Sequence, residues 1–167
     1  MIAVSISAPP VAAAPGPAPS RPFGFDGASL NETLDAWRQS AAGRAGGPCA
    51  AAASARTLTV CSAPPLDLGG GYAARDLTFT FVDGRLARIA FRTSIDGFAF
   101  VTAALEKACG APDAVVRDSA RRMPHVSMRW RNGRSTIELS DPLPDYSHLG
   151  VAMTVDADAG RLPAIGG

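Results

Sequence analysis

The chain is short of the residue types on which protein chemistry most often depends. It contains three cysteines, two histidines and a single lysine among 167 residues. Neither His125 nor His148 has a companion at the spacing of a zinc site, and no Gly-x-Ser-x-Gly motif is present. The sequence therefore predicts no metal site, no cofactor and no catalytic residue, and so a protein that is not an enzyme.

Net charge and long hydrophobic runs are also scarce. The formal net charge is +1, which gives no general attraction to nucleic acid or to a membrane surface. No run approaches the roughly 18 apolar residues that a membrane-spanning helix needs, so we predict no transmembrane span. The most basic stretch, 117–134, contains one aromatic residue, Trp130. Because single-stranded nucleic acid is bound by stacking on aromatic side chains, we predict no nucleic-acid binding.

Alanine and proline are abundant at the start of the chain, and residues 1–21 are predicted to be a disordered leader. This segment is either the end of a secretory signal, without its positively charged beginning, or an Ala/Pro linker. The first interpretation predicts a periplasmic or secreted protein. Residues 22–156 are then a single domain and 157–167 a loose tail.

Two of the cysteines, Cys49 and Cys61, flank a small-residue segment. A disulfide between them would close a loop of about 13 residues and stabilise the fold by roughly 3 kcal/mol, which fits an oxidising compartment. The alternative is two unrelated buried thiols. Cys109, at the end of a predicted helix, is expected to be a small buried hydrophobe.

Two β-hairpins are the strongest structural signals. In the first, a three-residue loop at 82–84 places Phe79 opposite Ala87 and Leu77 opposite Ile89, which keeps apolar residues on one face. In the second, Asn-Gly at 132–133 predicts a type I′ turn. That turn places Met128 opposite Ile137 and Val126 opposite Leu139.

Helical patterns precede each hairpin. Ser29 and Glu32 form a capping-box pattern before Leu30, Leu34 and Trp37, which share a helical face. Phe98, Val101 and Leu105 mark a second helix. The order predicts an α+β fold in a tandem αβββ-αβββ arrangement, with six or seven antiparallel strands and two helices packed on one face. The residues expected in the core are Leu77, Phe79, Ile89, Phe91, Phe98, Val101, Leu105, Met128, Trp130, Ile137, Leu139, Val151 and Met153.

Several segments resemble small bacterial envelope proteins of uncharacterised function. These are Phe81–Leu86, the helix stop at 105–112, and the hairpin 128–139 with its core tryptophan. The arrangement is similar to the fold of the β-lactamase inhibitory protein and of small outer-membrane assembly lipoproteins. That resemblance implies export and binding to other proteins. It assigns no functional residue, and the chain departs from the pattern by lacking an intact signal and a lipidation cysteine.

One charge feature points to a surface. Six arginines and one acid lie between residues 117 and 134, and the outward positions of both hairpins add more arginine. This face either docks an acidic partner surface or is a solvated face whose arginines prevent strand aggregation. The residues of this predicted binding face are Arg88, Arg92, Arg129, Arg131 and Arg134.

Two functions follow as hypotheses. The first is a non-catalytic, exported binding or accessory protein whose partner is another protein. The alternative is a small-molecule or anion binder, or an unrecognised hydrolase, that uses the arginine-rich sheet face. A deep pocket lined by those arginines would favour the alternative. The sequence leaves the partner's identity and the oligomeric state open.

Overall fold

A computed structural model describes residues 23–51, 58–119, 124–156, 158 and 162. Most of the predicted leader and tail therefore lies outside the described residues. The helices are α1 (Leu34–Gln39), α2 (Ala41–Ala45) and α3 (Phe98–Cys109), with a 3-10 turn at Ile95–Gly97. The strands are β1 (Gly24–Phe25), β2 (Ala28–Ser29), β3 (Cys49–Ala51), β4 (Leu58–Ser62), β5 (Leu66–Gly69), β6 (Tyr72–Val82), β7 (Arg85–Ser94), β8 (Ala114–Asp118), β9 (His125–Arg131), β10 (Ser135–Asp141) and β11 (His148–Val155).

The main sheet is antiparallel and is built from two meanders that meet at its centre. Its order is β3-β4-β6-β7-β11-β10-β9-β8, with β5 paired to β6 beside this path. The last strand of the first meander, β7, pairs with the last strand of the second, β11. β3 and β8 therefore lie at opposite edges of the sheet.

One apolar row crosses five neighbouring strands. Phe79, Ile89, Met153, Ile137 and Trp130 occupy successive strands in direct register, and all are buried. Since side chains alternate between faces along a strand, this register assigns the whole row to one side. We call it the core face, and the opposite side the outer face. Phe79 and Trp130 thus share a face, as predicted.

The helices cover the core face. The Trp37 ring of α1 lies 5.1 Å from that of Phe79 and 5.5 Å from that of Phe81, measured between centroids. On the other half of the sheet, the Thr102 hydroxyl of α3 lies 4.0 Å from the Met128 sulfur. The α+β class and the placement of helices on one face are therefore confirmed.

The predicted number of elements is too low. In the part of the chain that the structure describes, the main sheet has nine strands rather than six or seven, and there are three α-helices rather than two. One extra strand, β3, lies in the small-residue segment that leads from Cys49 towards Cys61. Weak β-propensity there is overcome because Cys49 pairs with Cys61 on β4, and the two cysteines form a disulfide. The predicted disulfide is confirmed.

The first helix begins later than the capping-box pattern predicts. Thr33 is its N-cap, and its hydroxyl accepts a hydrogen bond from the backbone of Ala36 at 3.2 Å. The backbone of the preceding residues is occupied elsewhere: Asn31 N–H donates to Leu86 O, and Leu86 N–H donates to Glu32 O. Pairing with the first hairpin therefore displaces the start of the helix.

The predicted register of the first hairpin is wrong. Val82 pairs with Arg85, so the loop has two residues, both with positive φ (51° at Asp83 and 75° at Gly84). A β-bulge between Thr80 and Phe81 in the pairing then shifts the register, and Phe79 pairs with Ile89. The bulge places apolar residues on the core face, a role that the prediction gave to a longer loop.

The predicted register of the second hairpin is wrong by two residues. Ile137 pairs with Trp130 and Leu139 with Met128. The turn is moved along the chain, and Asn132 N–H donates to Ser135 O. Because the error is an even number of residues, each side chain keeps its predicted face.

Two residues expected in the core, Phe98 and Leu105, are only half-buried, and the other eleven are buried. Cys109 is also half-buried, and burial raises the pKa of its thiol. The longest helix in the described segments has 12 residues, and none of the described helices has the length and apolarity to cross a membrane.

Candidate functional site

The five arginines of the predicted binding face do not form one cluster. Arg88 lies near the middle of the outer face, in direct register with Thr80 and Thr154. It is only 7% exposed, and burial lowers the pKa of its guanidinium while nearby Glu138 opposes that change. Arg88 is therefore an interior side chain rather than a docking residue.

Arg92 is held between two carboxylates. Its Nε donates to Asp76 Oδ2 at 2.8 Å, a second guanidinium nitrogen contacts the same oxygen, and Nη1 lies 3.4 Å from Asp145 Oδ2. The charge of Arg92 is thus already compensated within the fold.

Arg129, Arg131 and Arg134 lie at the other end of the sheet, on and beside β9. Arg129 pairs across the strands with Glu138, at 3.6 Å between charged atoms. Arg131 and Arg134 are exposed. Arg88 and Arg131 lie in the same cross-strand row, with β11 and β10 between their strands. The two arginines are therefore roughly 14 Å apart. The predicted face is therefore a dispersed set of charges.

A cleft of about 540 Å³ opens elsewhere on the molecule, where β4, β6 and β11 come together. It is lined by Ser62, Ala63, Pro65, Arg75, Asp76, Leu77, Thr78 and His148. None of the five predicted arginines lines it. The pairing between β6 and β7 is irregular here, between Arg75 and Thr78, and Asp76 has a φ of 50°. This irregularity brings Arg75, Asp76, Leu77 and Thr78 all to the wall of one cleft.

One wall of the cleft is fixed by Asp145, in the loop between β10 and β11. Its Oδ1 accepts hydrogen bonds from the backbone of Ser147 at 3.0 Å and of His148 at 3.1 Å. Its Oδ2 lies 2.9 Å from His148 Nδ1. The backbone hydrogen bond from Ser147, followed by the contacts with His148, lowers the pKa of Asp145. The imidazole is therefore held in one orientation beside a carboxylate.

The cleft has the groups for binding but not the contacts for nucleophilic catalysis. A serine nucleophile is activated by a hydrogen bond to a base. Among the described residues, neither Ser62 nor Thr78 is hydrogen-bonded to His148, and the Thr78 hydroxyl donates instead to Ala90 O at 3.4 Å. The described residues also contain no group of three or more side chains placed to hold a metal ion.

A second surface lies at the sheet edge formed by β8. This strand pairs with β9 on one side, and its other side meets no strand in the segments that the structure describes. Val115 is 40% exposed and Val116 60% exposed. Trp130 Nε1 anchors the segment before the strand by donating to Gly110 O at 2.9 Å. β8 therefore presents an apolar edge on a fixed support.

Sequence reasoning missed the cleft and found only part of the edge. His148 has no companion at the spacing of a metal site, and Arg75 and Asp76 carry no motif. They meet through the pairing of β7 with β11, which has no local sequence signal. The edge at β8 has a partial signal, because Val115 and Val116 are residues with high β-propensity just after the helix stop.

The comparisons with known proteins gave no match: no protein-family model, no curated protein and no solved structure matches this chain. The resemblance to the β-lactamase inhibitory protein and to assembly lipoproteins therefore stays a prediction. Function has to be argued from the residues themselves.

Proposed function

We propose that the chain is a non-catalytic, exported accessory protein that binds an extended segment of another protein along β8. The observation that carries the proposal is the exposed edge of this strand, with Val115 and Val116 uncovered. An unpaired edge offers a row of backbone N–H and C=O groups to an incoming strand. Peptide binding by strand addition uses that row for affinity and the alternating side chains for specificity.

β8 has only part of the protection that soluble proteins give to a sheet edge. Its sequence is Ala-Val-Val-Arg-Asp, with charged residues at its end but no proline and no lysine. Its central residues are valines, which have high β-propensity and side chains with little conformational freedom. The opposite edge, β3, consists of small residues and is tied to β4 by the disulfide. Of the two edges, β8 is the one suited to receive a strand.

The charges around β8 indicate the kind of partner. Arg117 on β8 is exposed, as are Arg131 and Arg134 beyond β9. Arg129 forms an ion pair with Glu138. A strand added to β8 therefore meets valine side chains flanked by guanidinium groups, and complementary charge favours acidic residues in that strand. The expected partner segment is extended, rich in β-branched residues and acidic.

The exported location rests on the disulfide. Structural disulfides persist in oxidising compartments and are rare in the cytosol. The half-buried thiol of Cys109, whose pKa is raised, is not activated for nucleophilic chemistry. The disulfide supports an extracytoplasmic protein, and the raised pKa of Cys109 argues against a cysteine nucleophile at that position.

The test is photocrosslinking in the source cells, with a benzophenone amino acid at position 116. A matched probe at position 106, on the exposed surface of α3, controls for chance encounters. We expect a crosslink at 116 and not at 106, to an extended acidic segment of one other protein. The additional change Arg117→Glu should weaken it by reversing the charge beside the added strand.

Three results would overturn the proposal: equal crosslinking at both positions, crosslinks only between copies of this chain, or no crosslink at 116. Circular dichroism and thermal melting of each variant check that the fold is retained. A second measurement uses purified protein and a capped peptide of alternating valine and glutamate. Amide hydrogen exchange of residues 114–118 should slow with this peptide and not with its valine–lysine counterpart.

A further inference from the structure

The cleft on the outer face is lined by Arg75, an exposed arginine. Arg75 and Arg92 are directly opposite each other on β6 and β7, and like charges at such a position are destabilising unless counter-charges are near. The two nearby carboxylates, Asp76 and Asp145, both contact Arg92. Arg75 makes no ion pair with any residue in the described part of the chain, although it lines the cleft.

The remaining walls provide polar groups and an apolar floor. Ser62 and Thr78 contribute hydroxyls, and His148 contributes an imidazole whose orientation is set by Asp145. Ala63 and Pro65 provide apolar surface beside them. A few polar groups that converge beside apolar surface are a feature of sites for small molecules.

The volume of the cleft indicates which class of ligand it can bind. Sites for small organic molecules commonly enclose about 300–1,000 Å³, and this cleft encloses about 540 Å³. A bare phosphate or acetate ion would leave most of that volume to water. The anionic group therefore belongs to a larger molecule with an apolar part.

We propose that the cleft binds a small organic anion, whose carboxylate or phosphate pairs with the guanidinium of Arg75 and whose apolar part rests on Ala63 and Pro65. Arginine suits this role because its planar fork of N–H donors matches both oxyanions with paired hydrogen bonds. The hydroxyls of Ser62 and Thr78 supply further hydrogen bonds. The site is distinct from β8, and neither proposal depends on the other.

The test is a titration of ¹⁵N-labelled protein followed by NMR, with benzoate, phenyl phosphate and inorganic phosphate as separate probes. Sodium chloride at matched ionic strength and benzyl alcohol are the controls. We expect saturable amide shifts at residues 62, 63, 75–78 and 148 with benzoate or phenyl phosphate. Inorganic phosphate should bind at least tenfold more weakly because it lacks an apolar part.

Arg75→Gln removes the charge and retains much of the length of the side chain. It should weaken the binding of the organic anion at least tenfold. Arg44→Gln, the same change at an exposed arginine on α2, should leave binding unchanged. Unaltered affinity in Arg75→Gln, equal shifts with sodium chloride, or no saturable shift with either organic anion would overturn the proposal. The NMR spectrum of each variant reports directly whether it is folded.

Discussion

The two halves of the sheet have the same plan, but their helices and their edge strands differ. In the first half, the small helix α1 inserts Trp37, 1% exposed, against two phenylalanine rings. In the second half, α3 is twice as long, yet Val101 is its one fully buried residue. The edges differ in the same sense: β3 is joined to β4 by a disulfide, whereas β8 has exposed valines.

This contrast indicates that the two edges of the sheet have different roles within one domain. Burying large aromatic side chains supplies most of the stabilisation that a small core can offer. Both halves have such burial, at Trp37 in the first and Trp130 in the second, and this core allows β8 to leave Val115 and Val116 uncovered without unfolding. Exposed apolar surface on a stable support is what a binding region requires.

The largest expected effect is the loss of the Trp37 side chain. Trp37→Ala should reduce the free energy of unfolding by about 3–5 kcal/mol, because a large buried ring leaves a cavity. Leu105→Ala on half-buried α3 should cost no more than about 2 kcal/mol. Urea denaturation of both variants measures the difference. Equal losses would mean that the two halves are packed equally well.

Reduction of the disulfide should have the next largest effect. Oxidised Cys49–Cys61 closes a loop with a sequence separation of 12, and its reduction should cost roughly 3 kcal/mol through the entropy of the unfolded chain. Protein carrying Cys109→Ala, compared with and without reductant, isolates this bond. Amide exchange should rise in β3 and β4 and stay constant in β8. A uniform rise across the sheet would show that the edges are not independent.

The two hairpin turns should respond alike. Gly84 and Gly133 have φ values of 75° and 85°, and a Cβ at either position would meet nothing within 4 Å. Alanine at either position should therefore cost about 1–2 kcal/mol from backbone conformation alone. Thermal or urea denaturation of the two single variants tests this. A much larger cost at Gly84 would show that its turn also maintains the neighbouring bulge.

The smallest expected effect concerns Asp141, at the end of β10. Burial raises the pKa of this carboxyl, and the charge of His125 partly lowers it. The folded state therefore holds the proton more tightly than the unfolded state, and stability falls as pH rises from the unfolded pKa through the raised folded pKa. Asp141→Asn removes this loss and should stabilise the protein by less than about 1 kcal/mol.

The pH dependence provides the check on that prediction. The advantage of Asp141→Asn should be absent well below the unfolded pKa of about 3.9, grow as the wild-type carboxyl ionises, and then level off. Urea denaturation across this range measures it. An advantage that is constant with pH would attribute the effect to something other than ionisation.

Some features followed from local chemistry. The alternation of apolar and polar residues predicted that Phe79 and Trp130 would share a face, and they do. The spacing of Cys49 and Cys61 predicted their disulfide. The predicted registers of the strand pairs were wrong because hydrophobic alternation has a period of two residues. A pattern with that period shows which face each side chain takes, but it fits equally well when the pairing is shifted by two residues. A shift of one residue is corrected by a β-bulge.

The candidate sites depended much more on distant contacts. Arg88 was predicted to point to solvent, and its strand position does lie on the outer face, but its burial is set by what packs around it in three dimensions. Arg92 was predicted to be part of a binding face, and two acids from other segments engage it instead. No local pattern reports such partners.

The sequence by itself determined that the chain forms two hairpins and helical segments, and which side of the sheet the hairpin side chains take, because backbone geometry and side-chain alternation act over a few residues. The tertiary structure decided that β7 pairs with β11, that β8 is left at an edge, and that Arg75 and His148 meet across a cleft. Those outcomes depend on which distant segments bury the most apolar surface together, and that competition is settled by the whole chain.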